Sequence, residues 1–177
     1  MHRAAFVFKT VGKTCKYNPQ GGLLLIEVSK EHCIYTWDVW YKHEKYINDQ
    51  LEFIYLCQDE VQKNITMRLH GEYKLHGTAE DSIWNENYPA LKVENGDLRI
   101  GALILESRLV VHSYDSTGIL ETLSQNIPTI AFWQNSLDHL HDSAKPYYQL
   151  LVDVGIVHLS PESAANKVNK IWDNVES

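Results

Sequence analysis

Cysteine is scarce: Cys15, Cys33 and Cys57 are the only three in a chain of 177 residues. The number is odd and no C-x-x-C spacing occurs, so neither a disulfide framework nor a zinc knuckle is indicated, and reduced thiols are expected. With 9 Gly and 5 Pro the chain is too poor in both for a collagen-like or low-complexity protein. Positive charge is short as well. Sixteen Lys and Arg face 23 Asp and Glu, a formal net charge of -7, the wrong sign for a general binder of phosphate backbones, so nucleic acid is not expected as a partner. No apolar run approaches the roughly 20 residues that span a bilayer, and the stretch from Ala4 to Phe8 is too short for a secretory signal. A cytoplasmic chain without a transmembrane segment is expected, and a peripheral place at the inner membrane is compatible with that. Three motifs are also missing: G-x-G-x-x-G, G-x-x-x-x-G-K-[ST] and G-x-S-x-G, which weighs against NAD, P-loop and α/β-hydrolase chemistry.

What remains is 44% hydrophobic and 22% charged, ordinary for one globular domain able to bury a core. Short apolar runs alternate with helical patterns. Residues 23–28 read as a buried strand after the turn signal Asn18-Pro19-Gln20-Gly21-Gly22. From 37 to 57 the large apolar residues fall at helical spacing. Strands follow at 65–70 and, weakly, at 90–93, with a short helix around Trp84 between them. Asp97 is placed to cap a helix over 98–106. Further strands are expected at 108–112, 129–133 and 156–159, separated by helices through Gln125 and over 147–154, with Gly155 stopping the latter. The last helix is the best marked: Ser160 at the cap, Pro161 at the first helical position, Glu162 in the first turn, and Ala164, Val168, Ile171, Trp172 and Val175 as one apolar stripe. About six strands alternating with helices predict an α/β fold, a Rossmann-like doubly wound parallel sheet with helices on both faces. The expected organisation is an N-terminal segment or interdomain remnant over 1–20 and the Rossmann-like domain over 21–177.

In such a sheet ligands bind beyond the carboxyl ends of the strands, where strand order reverses. The segment His112-Ser113-Tyr114-Asp115-Ser116-Thr117-Gly118 lies at such an end and opens a helix. Free backbone N–H groups, the hydroxyls of Ser116 and Thr117 and close approach at Gly118 together make a phosphate cradle. The same pattern also fits an ordinary N-cap at Asp115, Ser116 or Thr117. Glu121 is four or five residues beyond a Ser/Thr cap instead of three, which leaves it free to meet a ligand. Arg68 and His70, two apart at the end of the second strand, project to one face and suit phosphate. Asp138-His139-Leu140-His141-Asp142 looks metal-like, but its two His diverge on a helix and converge only in an extended segment. The aromatic cluster Tyr35, Trp37, Trp40, Tyr41 and Tyr46 suits core or interface packing better than base stacking.

The run from Arg108 through Glu121, continuing into Asn126-Ile127-Pro128-Thr129-Ile130-Ala131-Phe132-Trp133, resembles the donor-binding half of GT-B glycosyltransferases. With Asp142-Ser143-Ala144-Lys145-Pro146-Tyr147-Tyr148, Gly155-Ile156 and Ser160-Pro161-Glu162-Ser163-Ala164-Ala165, it is similar to transferases of bacterial surface-carbohydrate (O-antigen type) biosynthesis. Arg68-Leu69-His70 resembles the Arg-x-His motif of CDP-glycerol glycerophosphotransferases. The resemblance spans roughly 23–175 and is most specific across 108–165. It implies a nucleotide-diphosphate sugar as donor substrate, with no other cofactor and no metal. Arg68, His70, Ser116, Thr117 and Gly118 would hold the diphosphate and Glu121 the ribose, with His112, Tyr114, Asp115, Asp142 and Lys145 as secondary site residues. A glycan or lipid-linked acceptor would be reached through a separate acceptor-binding domain, since GT-B chemistry takes two such halves and 177 residues supply one. A GT-B-fold sugar-nucleotide epimerase, or a non-catalytic module that pairs with a separate half as a homo- or hetero-oligomer, are the alternatives.

Overall fold

The computed structural model describes residues 18–28, 43–77, 79–133 and 136–174. Within them six strands form one all-parallel sheet in the order β3-β2-β1-β4-β5-β6. The strands are β1 (Leu23–Ile26), β2 (Ile65–Arg68), β3 (Lys92–Glu94), β4 (Leu109–His112), β5 (Thr129–Phe132) and β6 (Val157–His158). Order reverses between β1 and β4, so the crevice of this doubly wound fold opens over their carboxyl ends. The expected Rossmann-like architecture is the observed one.

β1, β4 and β5 are buried along their whole length, which is why they read as continuous apolar runs rather than alternating ones. Leu23, Leu25, Leu109, Val111, Ile130 and Phe132 face one side. There they meet α1 (His43–Leu56) and α8 (Pro161–Ile171), with Phe53 stacked on Phe132 at 5.0 Å between ring centroids. Leu24, Ile26, Val110 and Ala131 face the other side, under α5 (Ile100–Glu106), α6 (Thr117–Ser124) and α7 (Lys145–Asp153). Residues 29–42 lie outside the described residues, so four members of the aromatic cluster and the start of the 37–57 helix go undescribed. Tyr46, its fifth member, is buried in the core.

Several sequence expectations shift. β3 begins two residues later than expected. Two short helices, α2 (Asp59–Lys63) and α3 (Tyr73–His76), carry too few apolar repeats to stand out; α4 (Glu80–Asn87) surrounds Trp84 as expected. Asp97 does not cap α5. The buried Glu94 carboxylate instead accepts the backbone N–H groups of Gly96, Asp97 and Leu98 at 3.2, 2.8 and 2.9 Å, wrapping the chain around itself and delaying the helix to Ile100. Asp97 pairs with Lys74 at 2.8 Å. Gly155, by contrast, ends α7 as expected: at φ +71 it takes the left-handed conformation, and the bonds Gly155 N–H to Val152 O and Ile156 N–H to Leu151 O close a Schellman turn. Cys57 is a free, buried thiol that burial pushes up to about 12, which makes it unreactive. No helix of the described residues is long and apolar enough to cross a membrane.

Candidate functional site at the carboxyl edge of the sheet

Register places Glu94, Arg68, Ile26, His112 and Ala131 in one row across the sheet at its carboxyl edge. Beyond this row β1 and β4 part. A chain of hydrogen bonds holds the parting: Val28 N–H donates to Tyr46 Oη at 2.8 Å, Tyr46 O–H to Ser113 Oγ at 2.7 Å, and Ser113 O–H to the carbonyl of Ile26 at 2.8 Å. Every polar atom in that chain is used.

The β4–α6 corner is different. Ser116 occupies the N-cap position of α6 with extended backbone, yet its side chain makes no capping bond. Its hydroxyl oxygen is buried and has no partner. Behind it, His112 is only 2% exposed. Nε2 of His112 lies 3.5 Å from Thr122 Oγ1, whose own proton goes to the carbonyl of Gly118 or Ile119, both at 3.0 Å. Thr122 therefore accepts, Nε2 carries the hydrogen, and Nδ1 is left bare and unpartnered. Burial lowers the imidazole to about 4, so it is neutral near pH 7. Gly118 fits against this ring closely: a Cβ there would stand 2.9 Å from His112 Cε1 and 3.2 Å from Ser116 Oγ. Thr117 is exposed, and Glu121, one turn on, is half-buried.

Asp115 precedes the cap and is turned aside. Tyr148 O–H donates to its Oδ1 at 2.8 Å and His139 Nε2 lies 3.1 Å from its Oδ2. Both clasping side chains pack edge-on against Trp133 with centroids at 5.9 Å. Burial and the Asp115 charge raise the Tyr148 phenol, keeping it a donor. The clasp takes a carboxylate away from a helix start that otherwise favours anions.

Arg68 and His70 lie at the same edge on the far side of β1, two inter-strand spacings or about 10 Å from β4. The Arg68 guanidinium is engaged: Nε is 3.4 Å from Glu94 Oε2, without the alignment of a hydrogen bond, while Nη1 donates to Leu69 O and Nη2 to Leu98 O at 3.5 Å. His70 is partly exposed and its Nδ1 accepts the Glu72 N–H at 3.4 Å. Tyr114 is half-buried between the two core faces. Asp142 and Lys145 form an exposed pair at 2.8 Å that lowers the Asp142 carboxyl and raises the Lys145 amine. Ser116, Thr117, Gly118 and His112 thus share one corner. Arg68 and His70 form a separate wall, and Asp142 and Lys145 belong to the surface at the start of α7.

The 138–142 segment is a run of turns, and its two histidines part: His139 goes inward to Asp115, His141 stays exposed with Ser143 Oγ at 2.8 Å. Among the described residues no three His, Cys, Asp or Glu side chains are arranged to hold a metal ion. The metal-like spacing around His139 carries no sign of its pairing with Asp115, 24 positions away. Glu27 belongs to no motif of the sequence. It is fully buried just past β1, accepts the Trp84 indole N–H at 3.1 Å and leaves Oε1 without a partner. Burial holds its carboxyl well above the usual range; the Glu80 charge adds to this and the Trp84 bond opposes it. A lone acid closing an apolar strand was the available signal.

No curated protein matches the chain. A family model does, over residues 5–177, nearly the whole sequence. With a doubly wound sheet and a polar corner at its switch point beneath that match, the chain belongs to the LIC12162 family of transferases.

Proposed function

We propose that this chain is the donor-binding half of a glycosyl or related transferase, taking a nucleotide-diphosphate donor at the α6 start. The observation that carries the proposal is the unused capping hydroxyl of Ser116 at an open helix start beside the switch point. Unpaired N–H groups and the positive helix end favour a phosphate there and would steady charge on the leaving diphosphate. Ser116, Thr117 and Gly118 hold the diphosphate, and Glu121 accepts bonds from the ribose hydroxyls one turn further on. His70 and Arg68 line the opposite wall. Arg68 reaches a phosphate only by giving up its hydrogen bonds to Leu69 and Leu98 and its ion pair with Glu94, so His70 is the readier contact. The acceptor is a surface-glycan or lipid-linked precursor brought by a second domain, because a donor half alone encloses only one side of the reaction.

Thermal denaturation with millimolar UDP, GDP, CDP and CMP tests this. At least one raises Tm by several degrees, and Thr117→Pro with Gly118→Ala removes that shift. Four flat responses sink the donor site.

A further inference from the structure

Resting on that donor-site reading, we propose that His112 sets the charge that the α6 corner accepts: it takes one proton from solvent onto Nδ1 when a phosphate-bearing ligand docks. The imidazole stands directly behind the first turn of α6. The missing Cβ of Gly118 is what lets ring and turn approach, with Nδ1 only 3.4 Å and Cε1 2.9 Å from the position a Cβ would fill. Nδ1 and Ser116 Oγ both border that position, and both are buried without a partner. Two orphaned polar atoms beside an uncapped helix start fit a site built for an occupant.

The ring's environment makes the coupling strong. Ile26 and Ala131 flank His112 in the sheet row, and Gly118 and Thr122 face it from α6. None of the four is charged, and burial alone depresses the ring. Of the ionisable groups nearest in sequence, Tyr114 is a phenol, Asp115 is clasped by Tyr148 and His139, and Glu121 lies on the following turn. Arg68, two strands away, is held at Glu94. A docked dianion is therefore the first strong charge the ring meets, and in a dry setting a nearby opposite charge raises a histidine by one to several pH units. The transfer is simple: neutral imidazole gains a proton at Nδ1 while Nε2–H stays on Thr122, which leaves a positive charge directly behind the first turn of α6. Reciprocity follows. If the anion raises the ring by one pH unit, protonating the ring tightens the anion tenfold. The corner then discriminates by charge, favouring dianions over neutral sugars or monoanions.

Sulfate is the probe, because it stays a dianion from pH 5 to 8, unlike a terminal phosphate. Backbone amide shifts of Thr117 and Gly118 report docking, and the His112 Cε1–H resonance reports its protonation. Expected are a midpoint for His112 at least one pH unit higher with sulfate, no such move for His158, and a sulfate Kd about twofold tighter at pH 5 than at pH 7.5 for a one-unit rise, and more for a larger one. His112→Gln flattens that pH dependence; if it does not fold, the wild-type resonance decides alone. Sulfate moving the Thr117 and Gly118 amides while His112 stays put overturns the proposal and leaves the donor site standing. No amide response to sulfate or to any of the four nucleotides, at any pH, overturns both.

Discussion

The sheet turns two strand-to-helix corners of nearly the same composition and finishes them differently. β4 ends in His112 and leads through Ser116-Thr117-Gly118 into α6; β6 ends in His158 and leads through Ser160-Pro161-Glu162 into α8. The two cap serines share almost one backbone conformation, φ -144 and ψ 159 for Ser116 against φ -155 and ψ 152 for Ser160. At the β6 corner everything is paired. Ser160 Oγ accepts the Ser163 N–H at 3.1 Å, and His158 reaches Ser163 Oγ at 2.7 Å and Gly155 O at 3.1 Å. At the β4 corner the serine oxygen and the histidine Nδ1 have no partner. An uncapped start forgoes about 1 kcal/mol of helix stability. The difference separates a corner whose serine and histidine both serve the fold from one where each leaves a buried atom unused.

The largest effect that separates them is acid. His112 gives up its proton far more readily folded, at about 4, than at its ordinary 6.5. Its contribution is whole above pH 6.5 and is lost as pH falls toward 4, where the unfolded chain binds a proton that the folded chain resists. The loss is about 3 kcal/mol. Urea unfolding at pH 7.5 and 4.5 should show it, and His112→Gln should shrink it. Burial also lowers His158, so it works in the same direction, but its bond to Gly155 opposes the shift; His158→Gln should change the pH dependence less.

Next in size is the position two residues past each cap serine. Gly118→Ala drives a Cβ into the His112 ring, costing about 1–3 kcal/mol as overpacking and removing nucleotide-induced thermal shifts. Glu162→Ala, at the matching exposed site of α8, should stay within about 0.5 kcal/mol. Equal losses in the two variants would erase the distinction.

The cap serines themselves give the smaller, sharper test. Ser160→Ala should cost about 1 kcal/mol. Ser116→Ala should cost less than about 0.5 kcal/mol, since no native bond is broken, yet weaken nucleotide binding by about tenfold through one lost charge-assisted bond. Chemical denaturation and a binding titration on both variants settle the contrast. A Ser116→Ala variant as destabilised as Ser160→Ala would show that the hydroxyl already caps its helix.

Both corners were visible as His, Ser and a helix start, and the α8 cap could be named from Ser160-Pro161-Glu162 because that motif acts within a few residues. Strand positions were legible for the same reason: β1, β4 and β5 are buried on both faces and so are apolar at every step. Which serine uses its hydroxyl was not legible, because that depends on side-chain rotamer and on what stands behind the turn. Gly118 suited close approach of an anion; that it also makes room for His112 depends on packing between α6 and β4. Arg68 pointed at phosphate by chemistry, but Glu94, 26 positions along the chain, claims it through β2–β3 register. The Asp115 clasp draws on Tyr148, a contact across 33 positions that no local pattern encodes.

The hydrogen-bonded chain through Val28, Tyr46, Ser113 and Ile26 also bears on the order of folding. Its last link closes across 87 residues of sequence, and the partner of β1 on that side, β4, is made long after β1 itself. Until it arrives, Leu23, Leu24, Leu25 and Ile26 present an unpaired, wholly apolar edge, the kind of surface on which chains associate wrongly. The crevice therefore waits on a long-range contact, and closure of this sort slows folding. A chain interrupted anywhere before residue 109 would carry β1 as a sticky edge and have no crevice at all.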